Sequence, residues 1–330
     1  MKRNSKNTIT FIVCSIFILI IGLFLSLSLG AAHIGISEIW LSLFDYSEKL
    51  ELVLIRDVRT PRALSVLLTG GILGATGAMI QGVTRNPIAE PSLLGVSQGA
   101  TFVVAIFYAI GISVNTTNVM IASLIGAIFS GLIVIGFISR KANNSSITKI
   151  LLAGTAMSTF FISLTTIAGL LSNKSQLIAF WVGGGFRNST WSDFILVSVV
   201  GISGLIVAVL LSKKINILSL GDDVAISLGE NPDRIRLITL LVMIPMSAAA
   251  VAVGKNIGFV GLIVPQIVRK VLGEDYRKNI PASFLLGAVL LTYSDIAARM
   301  VYNPYETPIG IFTALIGIPF FIAVARKEKG

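Results

Sequence analysis

The sequence predicts an all-α integral membrane protein built as one helical bundle, and three observations carry that prediction. Uncharged apolar runs of about 20 residues, enough to cross a hydrocarbon core as a helix, recur along the whole chain. Charged residues make up only 13% of the chain against 54% hydrophobic, and a mean hydropathy of +0.88 lies outside the balance of a soluble globular domain. The Lys and Arg residues collect mainly on alternate connections, as the positive-inside bias requires.

The first run, 9–29, follows "MKRNSK" and is longer than the apolar stretch of a cleaved leader, so it reads as a retained span with the N-terminus inside. It carries Cys14, the single cysteine, which excludes an intrachain disulfide and a zinc cluster. The connection 31–62 is expected outside, and it crowds Arg56, Arg59 and Arg62 at the head of the second run, 63–83. Arginines are normally scarce on that side. At three-residue spacing they share a helix face and, with Arg299 at the end of the ninth span, offer a cationic docking patch for an acidic partner. The plainer alternative is a set of interfacial anchors compensated by Glu48, Glu51 and Asp57. Along the second run Gly70, Gly74, Gly77 and Ala78 line one side, which lets a neighbouring backbone approach closely.

"RNPIAEPSLLGVSQGA", 85–100, then interrupts the apolar pattern with two prolines, a glutamate and an arginine. The run 91–139 is too long for one crossing, and Asn115, Thr116, Thr117 and Asn118 split it into two full spans. Runs 150–171 and 194–212 follow, separated by an outer segment, 172–193. The inner segment 213–236 contains "LSLGDDVAISLGENPDRIR". It reads as a short helix capped by Asp222 or Asp223, with Leu220, Val224 and Leu228 on one side and Gly229 closing it; Asn231 and Pro232 start the next helix. A capped helix pair is more than a connection needs, and it fits the groove of a soluble partner that would feel it as a lever.

The run 237–254 is a further span. The piece 257–268, holding Gly258, Gly261 and Pro265, is long enough only for a half-crossing. The run 282–294 is short, and becomes full length if Asp295 and Arg299 lie at its outer end, where an i,i+4 pair would meet. The last span, 308–325, returns the C-terminus to the inside. The sum is ten membrane segments, one of them short. They form one domain, 1–330, with a cytoplasmic coupling loop, 213–236, inside it. A weak echo between "GGILGATGAMIQGVTRNP" and "SAAAVAVGKNIGFVGLIVP", each a small-residue helix leading into a Gly/Pro-interrupted segment, points to a transporter with paired broken helices.

Enzymatic signatures are missing. There is no G-x-x-x-x-G-K-[ST], no H-E-x-x-H and no G-x-S-x-G, and the one histidine, His33, stands at a span end. The expectation is a transport subunit with no catalytic residue, cofactor or metal of its own. The net charge of +10 reports topology and contact with anionic lipid headgroups, not nucleic acid. An ion-coupled carrier would keep an ionisable group near the bilayer midplane, and no full span carries one at its centre. An ion-coupled secondary transporter therefore stands as the weaker reading, and the driving energy is expected from a separate subunit.

"RNPIAEPSLLGVSQGA", "LGDDVAISLG", "GFVGLIVPQIVR", "SDIAAR" and "PIGIFTALIGIPFF" together resemble the FecCD-type permeases of bacterial ABC importers for ferric siderophores, haem and cobalamin. The resemblance covers nearly the whole chain, in the right order. It implies a ten-helix type II ABC importer permease in the cell membrane with both termini cytoplasmic. It pairs with a second permease copy or paralogue, with ATP-binding cassette subunits below and a substrate-binding lipoprotein or periplasmic protein above. Cargo would be an iron(III)-siderophore complex, with haem or cobalamin as the alternative. The resemblance carries ATPase coupling onto Leu220, Gly221, Asp222, Asp223, Ala225, Leu228 and Gly229. Docking of the binding protein falls on Arg59, Arg62 and Arg299, with Arg56 one turn earlier, and an inner gate falls on Ser146, Ile147 and Thr148. Asn86, Pro87, Glu90 and Pro91 become a structural turn in which the prolines end one helix and start another. Glu90 would satisfy first-turn amides or bond a neighbouring loop.

Overall fold

A computed structural model describes residues 2–30, 34–42, 44, 49–112, 116–139 and 147–327. Among them every regular element is helical: α1 Lys2–Ser28, α2 Ile36–Leu41, α3 Leu50–Val53, α4 Thr60–Thr84, α5 Val96–Ala109, α6 Thr116–Ser139 and α7 Ile147–Leu171, then α8 Ser175–Gly183, α9 Trp191–Ser219, α10 Asp222–Ser227, α11 Pro232–Gly254, α12 Val260–Leu272, α13 Tyr276–Met300 and α14 Ile309–Lys327. A π-helical turn, Leu54–Arg59, joins α3 to α4, and a 3-10 turn, Pro91–Leu94, precedes α5.

Seven of these helices are long and apolar enough to cross a membrane, and Val96–Ala109 and Ile309–Ile322 are shorter apolar ones. The expected count of ten membrane segments is therefore not reached by helix length alone. The shortfall has local causes. Pro91 starts a 3-10 turn that Gly95 closes at φ 74, so α5 begins only at Val96 and is 14 residues long. After α11 the chain breaks at Lys255 and again at Phe259, both at positive φ, and α12 restarts with 13 residues. In contrast, the short run 282–294 becomes a 25-residue helix, α13, because Asp275 caps its start by accepting from Arg277 N, and Asp295 and Arg299 continue its far end. The segment 172–193, expected as a non-spanning connection, contains α8. A capping box between Thr190 and Asp193 starts α9 there, ahead of the apolar run.

The core forms around α4. Its apolar window is 89% buried against 11% for α1, which presents Ile9, Val13 and Phe17 outward. Helices α9, α11, α12 and α13 surround α4, α5 packs between α6 and α7, and α1 lies along α13. Closeness comes from the glycine face: a Cβ on Gly70 would meet Gly287 O, one on Gly74 would meet Ser283 O, and one on Gly77 would meet Gly261 O. Backbone-to-backbone contact replaces side-chain packing along this seam, as helices in lipid use when no hydrophobic force draws them together.

Candidate functional site

Three constellations lie at or inside the ends of the bundle. At the expected outer end, α1 finishes with carbonyls that no further helical turn can satisfy. Arg59 Nη1 donates to Leu27 O at 2.6 Å and Ser28 O at 2.9 Å. Arg299 Nη1 donates to Ser26 O and Leu29 O, each at 3.1 Å, and its Nη2 donates to Ser26 Oγ at 2.9 Å. Two cations thus cap one helix C-terminus, where the macrodipole favours positive charge. Arg62 turns the other way. Its Nη2 bonds Asp295 Oδ1 at 2.9 Å, and its two terminal nitrogens grip Glu306 at 2.6 and 3.2 Å. Asp295, wholly buried, also pairs with Arg299 Nε at 3.1 Å across the i,i+4 step, although the angle falls outside hydrogen-bond geometry.

These sequence-predicted arginines do come together, but not as one exposed face. Arg59, Arg62 and Arg299 keep 9%, 7% and 7% of their surface. Arg56, which lies on the π-helical turn, stays at the surface beside Asp57 at 3.3 Å. A π turn takes more residues than an α turn, so three-residue spacing no longer stacks Arg56 over Arg59.

At the expected inner end, α10 is the anticipated short helix, with one difference in its cap. Gly221, at φ 130, is the N-cap, and neither Asp222 nor Asp223 makes a side-chain cap bond. That φ suits glycine and few other residues. Asp222 instead accepts from Arg236 Nη2 at 2.7 and 2.8 Å and from Arg85 Nη2 at 3.0 Å. Arg236 is in the first turns of α11 and Arg85 is the left-handed C-cap of α4, so one carboxylate ties α10 to both helices. Asp223 is exposed. Ala225 is buried, while Leu220, Val224, Ile226 and Leu228 are exposed, and Gly229 at φ 80 ends the turn before Asn231 caps α11 through Arg234 N. Exposed apolar side chains on so short a helix suit a partner surface.

Between the ends lies the joint of the broken helix. Asn86 Oδ1 accepts from Ile88 N, Pro87 O accepts from Gln266 Nε2 at 2.6 Å, and Pro91 opens the 3-10 turn. Glu90 Oε1 accepts from Phe259 N at 2.8 Å, which ties the turn to the N-cap of α12. Glu90 is half-buried beside the start of α12. Gln81, on α4, donates to Leu262 O at 3.1 Å and accepts from Arg269 Nη2 at 3.2 Å. The reading of the sequence missed Gln81, Gln266 and Arg269, although a glutamine inside an apolar run was the available signal. Ser146 and His33 lie outside the described residues. Ile147 and Thr148 open α7, and the structure describes nothing of their side chains.

A family model for the FecCD transport family matches residues 18–327. Among curated relatives, the iron(3+)-hydroxamate import system permease protein FhuB of Bacillus subtilis (strain 168) is 39% identical over 99% of this chain and 85% of its own length. The Fe(3+)-citrate import system permease protein YfmD of the same organism is 38% identical over 99% of this chain and 98% of its own. Among solved structures, an inward-facing conformation of a metal-chelate type ABC transporter superposes with a TM-score of 0.85 at 27% identity, covering 96% of this chain and 99% of that one. With the match running through the arginine end, the broken joint and the α10 clamp, the chain belongs to the FecCD transport family.

Proposed function

We propose that this chain is the membrane-spanning permease subunit of an ATP-driven importer that carries an iron(III) chelate into the cell. The observation that carries the reading is α10. This helix of 6 residues offers Ile226 to a partner together with the flanking Leu220 and Leu228, and Asp222 fastens it by charged hydrogen bonds to the end of α4 and to α11. A push on α10 from an ATP-binding cassette subunit reaches the core through Arg85 and Arg236, and favours one of two packings of the bundle. The relatives named for hydroxamate and citrate complexes of iron(III) support an iron chelate as cargo, ahead of haem or cobalamin.

Both termini lie in the cytoplasm and the arginine end faces out, where a substrate-binding lipoprotein or periplasmic protein docks over Arg56, Arg59, Arg62 and Arg299. A second permease copy or paralogue completes the path against α7, which leaves Leu152, Phe160, Ile162 and Leu170 exposed. A cavity of about 520 Å³ between α5, α7 and α8, with Gln98, Thr101, Thr165 and Thr166 among apolar walls, gives a chelate weak contacts to leave by. The start of α7, at Ser146, Ile147 and Thr148, is the inner gate. The carboxylates of Asp193, Asp295 and Glu90 each accept protein hydrogen bonds, which favours the partner's ATP as the source of energy.

The test is co-purification and ATPase stimulation with the full chain. Replacing Leu220, Ile226 and Leu228 by glutamine should release the ATPase subunit while the permease stays folded. Retained binding and normal stimulation would reject α10 as the coupling element.

A further inference from the structure

A second cavity, of about 490 Å³, opens between the head of α4, α5, α8, the α8–α9 connection, the α11–α12 joint and the α13–α14 connection. Its charged lining is mostly cationic, Arg62, Arg187 and Lys255 against Glu306 as the one acid, and Trp181, Tyr108, Asn188 and Thr307 add neutral polar groups, of which the indole N–H can only donate. Glu306 is already held by Arg62 through two hydrogen bonds. Among the described residues no carboxylate lies within ion-pair distance of Arg187 or Lys255. Asp193, which lines an adjoining cavity of about 120 Å³ with Lys255, is committed to the Thr190 amide and hydroxyl. Trp181 is 3% exposed, and its indole N–H finds no acceptor among the described residues. A buried N–H left without a partner is rare, because it forfeits its water and gains nothing in return.

Lys255 adds a second oddity. It is a non-glycine residue at φ 63 and ψ −143, in the joint of the broken helix, and it is half-buried. Burial lowers its pKa, with Arg62 and Arg187 pulling the same way and Glu306 and Asp193 opposing them. The backbone holds Lys255 in place at a conformational cost, and an incoming anion offsets the separate cost of its half-buried, unpaired ammonium.

We infer that this cavity is an acceptor site for the free carboxylates of an anionic iron(III) chelate, held by Lys255, Arg187 and the Trp181 N–H. Guanidinium, ammonium and indole N–H all donate, and an oxyanion is the ligand that satisfies all of them at once. The inference rests on the transport reading for what its ligand is. An acidic side chain of a docked protein has the same chemistry, but the Trp181 N–H is buried, where a freely diffusing chelate reaches more easily than a side chain tethered to a folded surface. A chelate seated on Lys255 also bears directly on the α11–α12 joint, so cargo occupancy and the position of α12 become linked.

The experiment measures ferric citrate affinity by titration calorimetry on the full-length permease in nanodiscs of zwitterionic lipid, with no ATPase present. Lys255→Gln should weaken binding about tenfold, Lys255→Arg should restore it, and added salt should weaken the wild type, as for ligands held by charge. A neutral iron(III) trihydroxamate without free carboxylates should bind equally to all three. If Lys255→Gln proves unstable by thermal melting, the exposed Arg187→Gln gives the same comparison. Wild-type protein that fails to bind ferric citrate, or variants that bind it unchanged, overturn the inference. Lost affinity for the binding protein with unchanged ferric citrate affinity would assign the cavity to a protein carboxylate and overturn it as well. Because binding is read without ATP, failure of the transport reading shows separately, as absent ATP-driven uptake by the complete assembly.

Discussion

Asp222 Oδ1 lies 2.7 Å from Arg236 Nη2 and 3.0 Å from Arg85 Nη2, so one carboxylate is shared by the first turns of α11 and the C-cap of α4. Arg236 is nearly buried, with 5% of its side chain exposed, and Arg85 is open to solvent. The buried partner makes the pair a fastening, since it has no water to fall back on. Asp222→Ala should leave the bundle folded, with a melting temperature a few degrees lower, and should reduce ATP-coupled uptake about tenfold. Arg85→Ala should lose part of the coupling and almost none of the stability, because exposed pairs contribute little. Equal loss of stability and coupling in both variants would contradict the fastening.

Asp295 is the anion on which two buried cations depend. Asp295→Ala leaves Arg62 and Arg299 without their shared counter-charge, and should destabilise the bundle by about 3–5 kcal/mol in denaturant unfolding. Arg56→Glu, at the surface, should leave stability unchanged and weaken docking of the binding protein at low salt. Reversal of Arg299 is a poorer probe of docking, because Glu in its place would face Asp295 and the α1 carbonyls together. If Arg56→Glu docks normally, the outer rim is not the docking face.

The α4–α13 seam is tested by size. Gly74→Val drives methyl groups into Ser283 O, and should cost about 3 kcal/mol or more, or prevent folding, whereas Ala78→Gly at the same depth should cost about 1 kcal/mol. Thermal melting in detergent separates the two.

Glu90 is tested through its hydrogen bond. Glu90→Gln keeps an oxygen for Phe259 N and should melt close to the wild type, while Glu90→Ala strands the amide at a cost of about 1–3 kcal/mol. Melting curves of the two variants in detergent separate these outcomes.

Much of this was legible in the residues. Apolar runs placed the long helices, Asn231 and Pro232 marked the start of α11, Gly229 marked the end of α10, and Asp295 with Arg299 marked the last turns of α13, because caps and i,i+4 pairs act over a few residues. What stayed hidden depended on distance in sequence. Nothing local says that Arg59 and Arg299 will cap α1, that Asp222 will prefer Arg236 to its own helix, or that Glu90 will meet Phe259. Helix α8 escaped because Ser172, Asn173, Lys174 and Ser175 dilute its apolar pattern at the start. The length of α5 was overstated because Pro91 looks like a helix start, and only Gly95 in its left-handed conformation shows that the first turn is 3-10.

The central claim is that this chain moves its cargo only when a separate ATPase drives α10. Uptake of a radiolabelled iron(III) trihydroxamate into proteoliposomes tests it most directly, comparing the full chain alone with the complete assembly, with and without ATP. The account predicts accumulation only with the ATPase subunit and ATP together, unaffected by collapsing the membrane potential; accumulation by the chain alone, or uptake that vanishes with the potential, would contradict it.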